Sequence, residues 1–319
     1  MVMHLKHGQY HTYVYLSLLS LSLWSLASGT ITGAFVVPHG GIVLAPGRFN
    51  TTNTTAKEHA WILHNNYKLI GEHIGHLNPD LIFLSTPHGV ADLNRFGLYL
   101  NSAGKGNADT DNIHCPPACF NVSANFACDI AEDIASKYKH VLNLTGLTAF
   151  GPPGKSDEDF PLRWGEVIPL YFIPNLSRIK VVVMSQPSRR YTESVAMIPE
   201  LTELGCHLYD YLQALDQNVV MMVSADLAHT HRKDGPYGYS DAAEPFDKAC
   251  GHWAETMDSN SLLVTAAKYV DKALSCGYTG MVMLHGMLEA GQLSSWIPTL
   301  YANYHPSYYG MMLASFLPH

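Results

Sequence analysis

Three mostly apolar runs in the chain predict buried β-strands. They span residues 31–37, 80–86 and 219–223, and Val, Ile, Leu, Phe and Met make up most of each run. Runs of this length and composition are typical of strands that lie inside a sheet. The first two runs lead directly into the same tripeptide, Pro-His-Gly, because Pro38 and Pro87 each begin that sequence.

A helix is predicted between the first two strands. Its apolar positions recur at intervals of four, three, four and three residues, which gives one apolar stripe. The stripe consists of Leu63, Tyr67, Ile70, Ile74 and Leu77. Strand, helix and strand in this order form a βαβ unit, which requires parallel pairing and a right-handed crossover.

The rest of the chain continues the alternation of helices and strands. Helices are predicted at 129–138, 197–215 and 261–274, and strands at 140–144 and 180–184. Residues 101–112 are rich in Gly, Asn and Asp, and they predict a surface loop of the kind that often covers a substrate. We therefore predict the α/β fold class, with a single three-layer α/β/α domain at residues 30–319 and a mostly parallel central sheet.

Three histidines follow the predicted strands. His39 and His88 lie in the two Pro-His-Gly sequences, and the third run leads through residues 224–228 to His229. In open α/β sheets the carboxyl ends of the strands form the binding crevice. Imidazole is the commonest transition-metal ligand and a natural proton carrier near neutral pH. The pattern therefore predicts a metal site with a base beside it.

The charge balance argues against a nucleic-acid partner. Only 14% of the 319 residues are charged, and 19 Lys and Arg against 27 Asp and Glu give a net charge of −8. Binding to a phosphate backbone needs a basic face, which this composition does not favour.

Residues 1–29 resemble a signal peptide or a signal anchor. An apolar, serine-rich stretch from Val14 to Leu26 precedes the small residues 27–29, where we expect cleavage.

Five sequons for N-glycosylation begin at Asn50, Asn53, Asn121, Asn143 and Asn175. We expect entry into the secretory pathway with glycan at Asn50 or Asn53, and an unmodified, buried Asn143. If the segment is not a signal, the protein is cytoplasmic, and it contacts a membrane only if the segment is an uncleaved anchor.

Six cysteines are too few for a disulfide scaffold in a chain of this length. Cys115, Cys119 and Cys128 lie close together in the sequence, and a disulfide among them would clamp their loop. Their pairing stays open, and a small metal knot that includes His114 is the alternative.

Several motifs, taken in order, resemble the class III extradiol ring-cleavage dioxygenase superfamily. They are Pro38-His39-Gly40-Gly41, Thr86-Pro87-His88-Gly89 and Ser224-Ala225-Asp226-Leu227-Ala228-His229. The segments at 234–239, 276–278 and 305–311 are similar to parts of bacterial members. The resemblance covers residues 31–317 and extends to the catalytic subunits of protocatechuate-type dioxygenases and to Memo-like relatives.

This resemblance implies a mononuclear non-haem Fe(II) held by two histidines and a carboxylate. His39 and His88 would be metal ligands, and His229 would be the acid–base residue. A carboxylate is expected near Cys276, where this chain has none, whereas Memo-like relatives have a cysteine there. Cys276 is therefore the candidate third ligand, and its thiolate, a softer ligand than a carboxylate, would favour Zn(II) or Cu(I).

Three carboxylates elsewhere are alternative third ligands: Glu166, Asp226 and Glu289. Each also has an ordinary structural explanation, namely a surface charge at a strand edge, a turn or helix cap, and a solvated helix end. A further departure is Arg163-Trp164-Gly165, where many dioxygenase relatives have Asp-His-Gly.

The resemblance implies an Fe(II)-dependent, extradiol-type dioxygenase that acts on a small catechol-like aromatic diol and O2. Tyr237 and Tyr239, which follow His229, would contact the aromatic substrate or serve as ordinary turn and core aromatics. The alternatives are a Memo-like metal- or ligand-binding protein without ring cleavage, and a zinc-dependent hydrolase. The third metal ligand is the feature that separates these hypotheses.

Overall fold

The computed structural model describes residues 30–108, 120–149 and 158–319. The strands are β1 Thr30–Val37, β2 Leu81–Thr86, β3 Phe96–Tyr99, β4 Ala103–Asn107, β5 Asn121–Phe126, β6 Leu144–Leu147, β7 Phe160–Leu162, β8 Lys180–Ser185, β9 Asn218–Ser224, β10 Trp296–Tyr304 and β11 Met311–Pro318. The α-helices are α1 Thr54–His76, α2 Cys128–Tyr138, α3 Trp164–Tyr171, α4 Arg190–Glu193, α5 Ile198–Gln213, α6 Ala243–Thr256, α7 Val270–Ala273 and α8 Tyr278–Ala290. The three predicted apolar strands are β1, β2 and β9, and the predicted amphipathic helix is α1.

The eleven described strands form one sheet. Its main path runs β10-β11-β1-β9-β2-β8-β5-β4-β7, and β3 pairs with β6 and β8. The central strands β1, β9, β2 and β8 are parallel, whereas β10 and β11 add an antiparallel edge. Val37 is paired with Ser224, and Ser85 with Val223. Consequently the carboxyl ends of β1, β2 and β9 lie level at one edge of the sheet.

Side chains of the central strands alternate between two buried clusters. On β1, Ala34 and Val36 pack in one cluster, and Phe35 and Val37 pack in the other. Helices α2, α5, α6 and α8 contribute to the first cluster, and α1 and α3 contribute to the second. Helices therefore flank both faces of a mostly parallel sheet, and the predicted α/β class is confirmed.

The surface loop predicted at 101–112 is wrong in its first half. Residues 103–107 form β4, which pairs antiparallel with β5 and parallel with β7. The glycines that favoured a loop are required by packing, because a Cβ at Gly104 would overlap the ring of Phe126 and one at Gly106 would overlap the backbone of Leu162. Residues 109–112 lie outside the described residues, so the substrate lid stays a prediction.

Three other segments differ from their predicted form. The strand predicted at 140–144 begins only at Leu144, and a turn precedes it. The helix predicted at 261–274 is irregular and divides into a π turn, a 3-10 turn and α7. The run that contains Glu166 is helix α3 rather than a strand, and it includes Pro169.

The predicted signal peptide or anchor lies outside the described residues, so it stays a prediction, as does the domain boundary after residue 29. The five sequon asparagines are exposed. The expected burial of Asn143 is wrong, because this residue is exposed immediately before β6, with a backbone φ of 53°. Cys128 carries a free thiol, and Cys115 and Cys119 lie outside the described residues. Within the described ranges, no helix is long and apolar enough to cross a membrane.

Candidate metal centre

His39 is held in one tautomer at the end of β1. The Ser224 hydroxyl donates a hydrogen bond to the carbonyl of Gly165, with an oxygen–oxygen distance of 2.6 Å. Because its only proton is used there, Ser224 must accept from Nδ1–H of His39, 2.8 Å away. The Nε2 atom of His39 therefore keeps its lone pair. A histidine whose second nitrogen is fixed in this way is typical of metal ligands.

His88 follows β2 at the same edge of the sheet and lies against the Trp164 ring, with 4.9 Å between the ring centroids. Gly165, the next residue after Trp164, permits this approach. A Cβ at Gly165 would lie 2.7 Å from the Thr86 hydroxyl and 3.0 Å from the Cβ of His88. The Arg163-Trp164-Gly165 sequence thus packs around His88, although the histidine found in many relatives is absent.

The two Pro-His-Gly glycines are needed for close packing rather than for an unusual turn. Gly40 has φ −68°, which any residue can adopt. A Cβ at Gly40 would overlap the ring of Tyr309, and one at Gly89 would overlap the hydroxyl of Tyr99. The motif therefore brings the backbone close to large side chains and thereby fixes the directions of His39 and His88.

Cys276 lies in the turn before α8 and is buried. Its Sγ atom is 3.2 Å from Nε2 of His39. Two hydrogen bonds hold the turn against the carbonyl of Asp226: the Ser275 hydroxyl donates at 2.9 Å and the Gly277 N–H donates at 3.1 Å. Cys276 and His39 are 237 positions apart in the chain. Their contact thus depends on the turn at Asp226, which follows β9.

The structure brings His39, His88 and Cys276 together, and we call them the central cluster. Their candidate ligand atoms all lie within 4.8 Å of one another. The two imidazole rings have centroids 4.7 Å apart and are nearly perpendicular, at 87°. The prediction that both histidines lie at one sheet edge is therefore confirmed, whereas their roles as ligands stay predictions.

Of the three alternative carboxylates, Asp226 alone lies beside His39. One of its oxygens accepts from the His39 N–H at 3.0 Å, and the other is 3.4 Å from Nε2 of the same residue. Glu166 is neither a ligand candidate nor a surface charge. It is fully buried and accepts from the Arg163 N–H and the Tyr99 hydroxyl, so it caps α3. Burial raises the pKa of Glu166 to about 7.

Glu289 also lies away from the central cluster. One of its carboxylate oxygens is 3.3 Å from Nε2 of His285, near the end of α8. Of the predicted oxygen donors, the structure therefore retains Asp226 as a candidate next to the central cluster.

His229 is half-buried and is also held in one tautomer. Its Nδ1–H donates to the carbonyl of Leu274 at 2.7 Å, and its backbone N–H donates to the carbonyl of Ala273 at 2.8 Å. The lone pair of Nε2 is thus left for another partner. A neutral imidazole with one free nitrogen can accept a proton, which agrees with the predicted acid–base role.

The histidines at this edge of the sheet share a cavity of about 570 Å³. His39, His88, Asp226 and His229 all line it, and aromatic side chains form much of the remaining wall. The aromatic lining consists of Trp164, Tyr237, Tyr308 and Tyr309. Tyr237 borders the cavity, with its ring centroid 5.7 Å from that of His229, whereas Tyr239 is not among the lining residues, and contact of Tyr237 with a substrate stays a prediction.

Burial keeps the histidines of the cavity neutral. Burial, followed by the positive charge of Arg190, lowers the pKa of His88 to about 3. The pKa of His39 is well below its usual value, first because of burial and then because of His88. Burial also lowers the pKa of His229. Neutral imidazoles are the form that binds metals and accepts protons.

Burial raises the pKa of the Cys276 thiol well above its usual range, and the nearby carboxylate of Asp226 acts in the same direction. A metal ion at the central cluster would reverse this preference, because coordination deprotonates a thiol. The donor set of two free imidazole nitrogens, one thiol and a neighbouring carboxylate therefore fits a divalent transition metal.

Sequence reasoning did not identify two residues of this site. Ser224 is the first residue of the motif that ends at His229, but nothing in that motif indicates its orienting role, which depends on Gly165, 59 positions away. Arg190 follows β8 at the same sheet edge and is buried. Its only available signal was position, since it lies shortly after a predicted strand.

Comparisons with known proteins agree with this geometry. Residues 33–314 match the family described as the catalytic LigB subunit of aromatic ring-opening dioxygenase. The match extends over most of the chain, and the protein therefore belongs to this family. Members of the family are typically metal-dependent. The predicted membership in the extradiol superfamily is thus confirmed.

Two individual proteins are similar to this chain. Protein CA_C1420 of Clostridium acetobutylicum is 23% identical over 294 residues, which is 90% of this chain and 58% of that protein. The chain therefore spans less than two thirds of the length of this relative. The crystal structure of the uncharacterized protein JW3007 from Escherichia coli K12 matches with a TM-score of 0.52 at 13% identity. That match covers 90% of this chain and 99% of the other, and it shows a shared fold.

Proposed function

We propose that this protein is a metal-dependent oxidoreductase that opens the ring of a small catechol-like diol with O2. The observation that carries the proposal is that His39, His88 and His229 line one cavity in a chain of the ring-opening dioxygenase family. Both atoms of O2 would enter the ring-opened product, so the reaction needs no external reductant.

Each residue has a separate task in this proposal. His39 and His88 would hold the metal together with Cys276 or Asp226 as the third ligand, and the metal would supply a binding place for the two diol oxygens and for O2. His229 would take a proton from a phenolic hydroxyl through Nε2 and return it during ring opening. Ser224 would keep Nε2 of His39 directed at the metal, and Trp164 would limit the movement of His88.

We propose Fe(II) as the metal of this reaction, with Zn(II) as the alternative. Asp226, 3.4 Å from Nε2 of His39, supports Fe(II), because a carboxylate with two histidines is the usual ligand set of non-haem iron oxygenases. The buried thiol of Cys276 supports Zn(II), because thiolates are softer ligands.

A second candidate function is metal binding without ring cleavage, as in Memo-like relatives. The contact of 3.2 Å between Sγ of Cys276 and Nε2 of His39 favours it. If this sulfur occupies a coordination position, it takes the place of the carboxylate that the dioxygenase reaction ordinarily uses.

The test is anaerobic reconstitution with one equivalent of Fe(II) or Zn(II), followed by aerobic incubation with a panel of catechols. We expect the Fe(II) protein to consume O2 and form a yellow ring-fission product in equal amounts, and the Zn(II) protein to do neither. Fe(II) protein that binds its metal tightly but consumes no O2 with any diol would support the second candidate. Zn(II) protein that hydrolyses ester or amide substrates would instead support a zinc-dependent hydrolase.

A further inference from the structure

Glu166 is a fully buried carboxylate in the first turn of α3. One of its oxygens accepts from the Arg163 N–H at 2.8 Å, and the other accepts from the Tyr99 hydroxyl at 2.9 Å. Glutamates are almost never fully buried unless specific partners hold them. Here the two donors come from different elements, so the carboxylate fixes the beginning of α3 relative to β3.

The first turn of α3 reaches His39 through Ser224. The carbonyl of Gly165, the residue before Glu166, accepts from the Ser224 hydroxyl, and Ser224 accepts from Nδ1–H of His39. The position of this carbonyl decides where the hydroxyl proton points, because a hydroxyl can donate only once. If the carbonyl moved away, Ser224 could donate to Nδ1 instead, and the proton of His39 would move to Nε2. His39 would then lack the lone pair that a metal needs.

The hydrogen bonds of Glu166 also reach His88. Gly165 packs against this histidine, since a Cβ at Gly165 would lie 3.0 Å from the Cβ of His88. The Tyr99 hydroxyl, which donates to Glu166, accepts from the N–H of Val90 at 3.2 Å. Val90 lies two residues after His88, so Tyr99 connects Glu166 to the loop that carries this histidine. The constraints on both histidines therefore meet at one carboxylate.

We propose that Glu166 is a positioning residue that holds His39 in its metal-binding tautomer through the first turn of α3. The inference rests on the metal site of the proposed function, and it does not depend on ring opening. An ionised carboxylate offers both oxygens as acceptors, whereas a protonated carboxyl group uses one of them to donate. Neutralising Glu166 therefore weakens one of the two bonds that fix the turn.

The protonation of Glu166 supplies a way to observe this role. Burial raises its pKa to about 7, although its hydrogen bonds and the charge of Arg163 act in the opposite direction. Tyr99 on β3 and Arg163 before α3 are the titratable or charged groups that act on it within the described ranges. The carboxyl group is therefore mostly ionised at about pH 8 and mostly protonated at about pH 6. The positioning effect should be present above about pH 7 and lost below it.

The first test needs no metal. In metal-free protein labelled with ¹⁵N at histidine, long-range proton–nitrogen NMR spectra show which ring nitrogen carries the proton. We expect His39 of the wild type to carry it on Nδ1 at about pH 8. Glu166→Gln matches the protonated carboxyl group in shape and charge, and it should give a mixture of tautomers at the same pH. An equally populated Nδ1–H tautomer in the two proteins would overturn the proposal.

The second test compares Zn(II) affinities of wild type and Glu166→Gln between about pH 6 and 8, by competition with a chromophoric chelator. The two affinities should be equal at the acid end. At the alkaline end the wild type should bind about 10-fold more tightly, as expected for a residue that orients a metal ligand. Deprotonation of Cys276 changes both affinities alike and cancels from their ratio. A ratio that stays constant with pH would assign Glu166 a merely structural role and contradict the proposal.

Tyr99→Phe separates positioning from charge. It removes one donor but leaves the carboxylate in place, so it should shift the tautomer of His39 and weaken Zn(II) binding in the same direction as Glu166→Gln. If Glu166→Gln alone has these effects, the negative charge acts on the metal at a distance, and Glu166 is not a positioning residue.

Asp258→Asn is the matched control. Asp258 also accepts from two backbone N–H groups, those of Asn260 and Ser261, but it lines neither cavity at the central cluster. Asp258→Asn should leave the tautomer and the Zn(II) affinity unchanged. Equal losses in Asp258→Asn and Glu166→Gln would show a general loosening of the protein and refute the assignment.

The proposed function fails separately from this inference. If the wild type binds no metal, the proposed function is wrong, and the NMR spectra of the metal-free protein still decide the role of Glu166. If Zn(II) binds but the Fe(II) protein opens no diol, the dioxygenase reaction is wrong, and both tests of Glu166 remain valid.

Discussion

Two histidine clusters in this molecule differ in burial and in the direction of their nitrogen atoms. The central cluster is composed of His39, His88 and Cys276. A second group, His231, Glu244 and His305, also has candidate ligand atoms within 4.8 Å of one another, and we call it the outer cluster. Glu244 and His305 have side chains that are 53% and 47% exposed, whereas the His39 side chain is 2% exposed.

Ring orientation separates the clusters further. In the central cluster the two imidazoles are nearly perpendicular, so their in-plane lone pairs can meet at one point. In the outer cluster the rings of His231 and His305 are stacked, with centroids 3.9 Å apart and an angle of 3°. The lone pairs of stacked rings lie in parallel planes and do not converge. Glu244 also forms an ion pair with Lys248. Proximity of ligand atoms is thus insufficient for metal binding. The orientation of the imidazole rings, which neighbouring residues set, decides which cluster can hold a metal.

The largest expected effect is on metal content. His39→Ala removes one of three proposed ligands, and we expect the purified protein to lose its tightly bound metal. His305→Ala removes a histidine of the outer cluster and should retain one equivalent. Elemental analysis after dialysis against a weak chelator measures both. Equal metal loss in the two variants would show that the comparison between the clusters is wrong.

Turnover should separate His229 from the metal ligands. His229→Ala removes the proposed base but no ligand, so it should retain the metal and lose about 10²- to 10⁴-fold in rate. His305→Ala again serves as the control and should keep both metal and rate. Single-turnover rates and metal content are measured on the same samples. If His229→Ala loses its metal as completely as His39→Ala, His229 is a ligand and the proposed division of roles is wrong.

A smaller effect is expected from the serine that orients His39. Ser224→Ala removes the acceptor of the Nδ1–H bond, and loss of such a partner typically weakens metal affinity about 10- to 100-fold. Ser185→Ala is a matched control, because Ser185 is equally buried at the end of β8 but donates to the carbonyl of Val90. Competition with a chromophoric chelator gives the affinities. Identical affinities in the two variants would argue against an orienting role for Ser224.

The central strands and the strand-end histidines were predictable from the sequence because both depend on local patterns. The apolar runs specify β1, β2 and β9, and a parallel sheet places the ends of those strands at one edge. The location of Cys276 was available only through a resemblance, because its contact with His39 depends on how the turn before α8 packs against Asp226. No local pattern indicates that contact.

The segments that differed from prediction have a common physical cause. Glycines in β4 are a loop signal in sequence, but here they make room for Phe126 and the Leu162 backbone. Glutamate is usually a surface residue, yet tertiary packing buries Glu166 as the cap of α3. Arg190 could not be recognised as part of the site either, because no local pattern shows that it is buried beside His88 and Cys276. Such features become visible only when the neighbours in space are known.

The smallest expected effect is in acid stability, and it concerns the buried imidazole of His88 in the central cluster. Burial lowers the pKa of His88 from 6.5 to about 3 in the metal-free folded protein. Between these values the unfolded chain binds a proton at this residue and the folded protein does not. Stability must therefore fall as the pH falls below about 6.5, with a slope of at most about 1.4 kcal/mol per pH unit from this group.

Urea unfolding of metal-free protein between pH 7 and 5 measures the slope. We expect His88→Gln to reduce it by up to that amount, and His252→Gln, at an exposed histidine on α6, to leave it unchanged. An unchanged slope in His88→Gln would mean that this ring is already protonated in the folded protein near pH 6, where a neutral metal ligand is required.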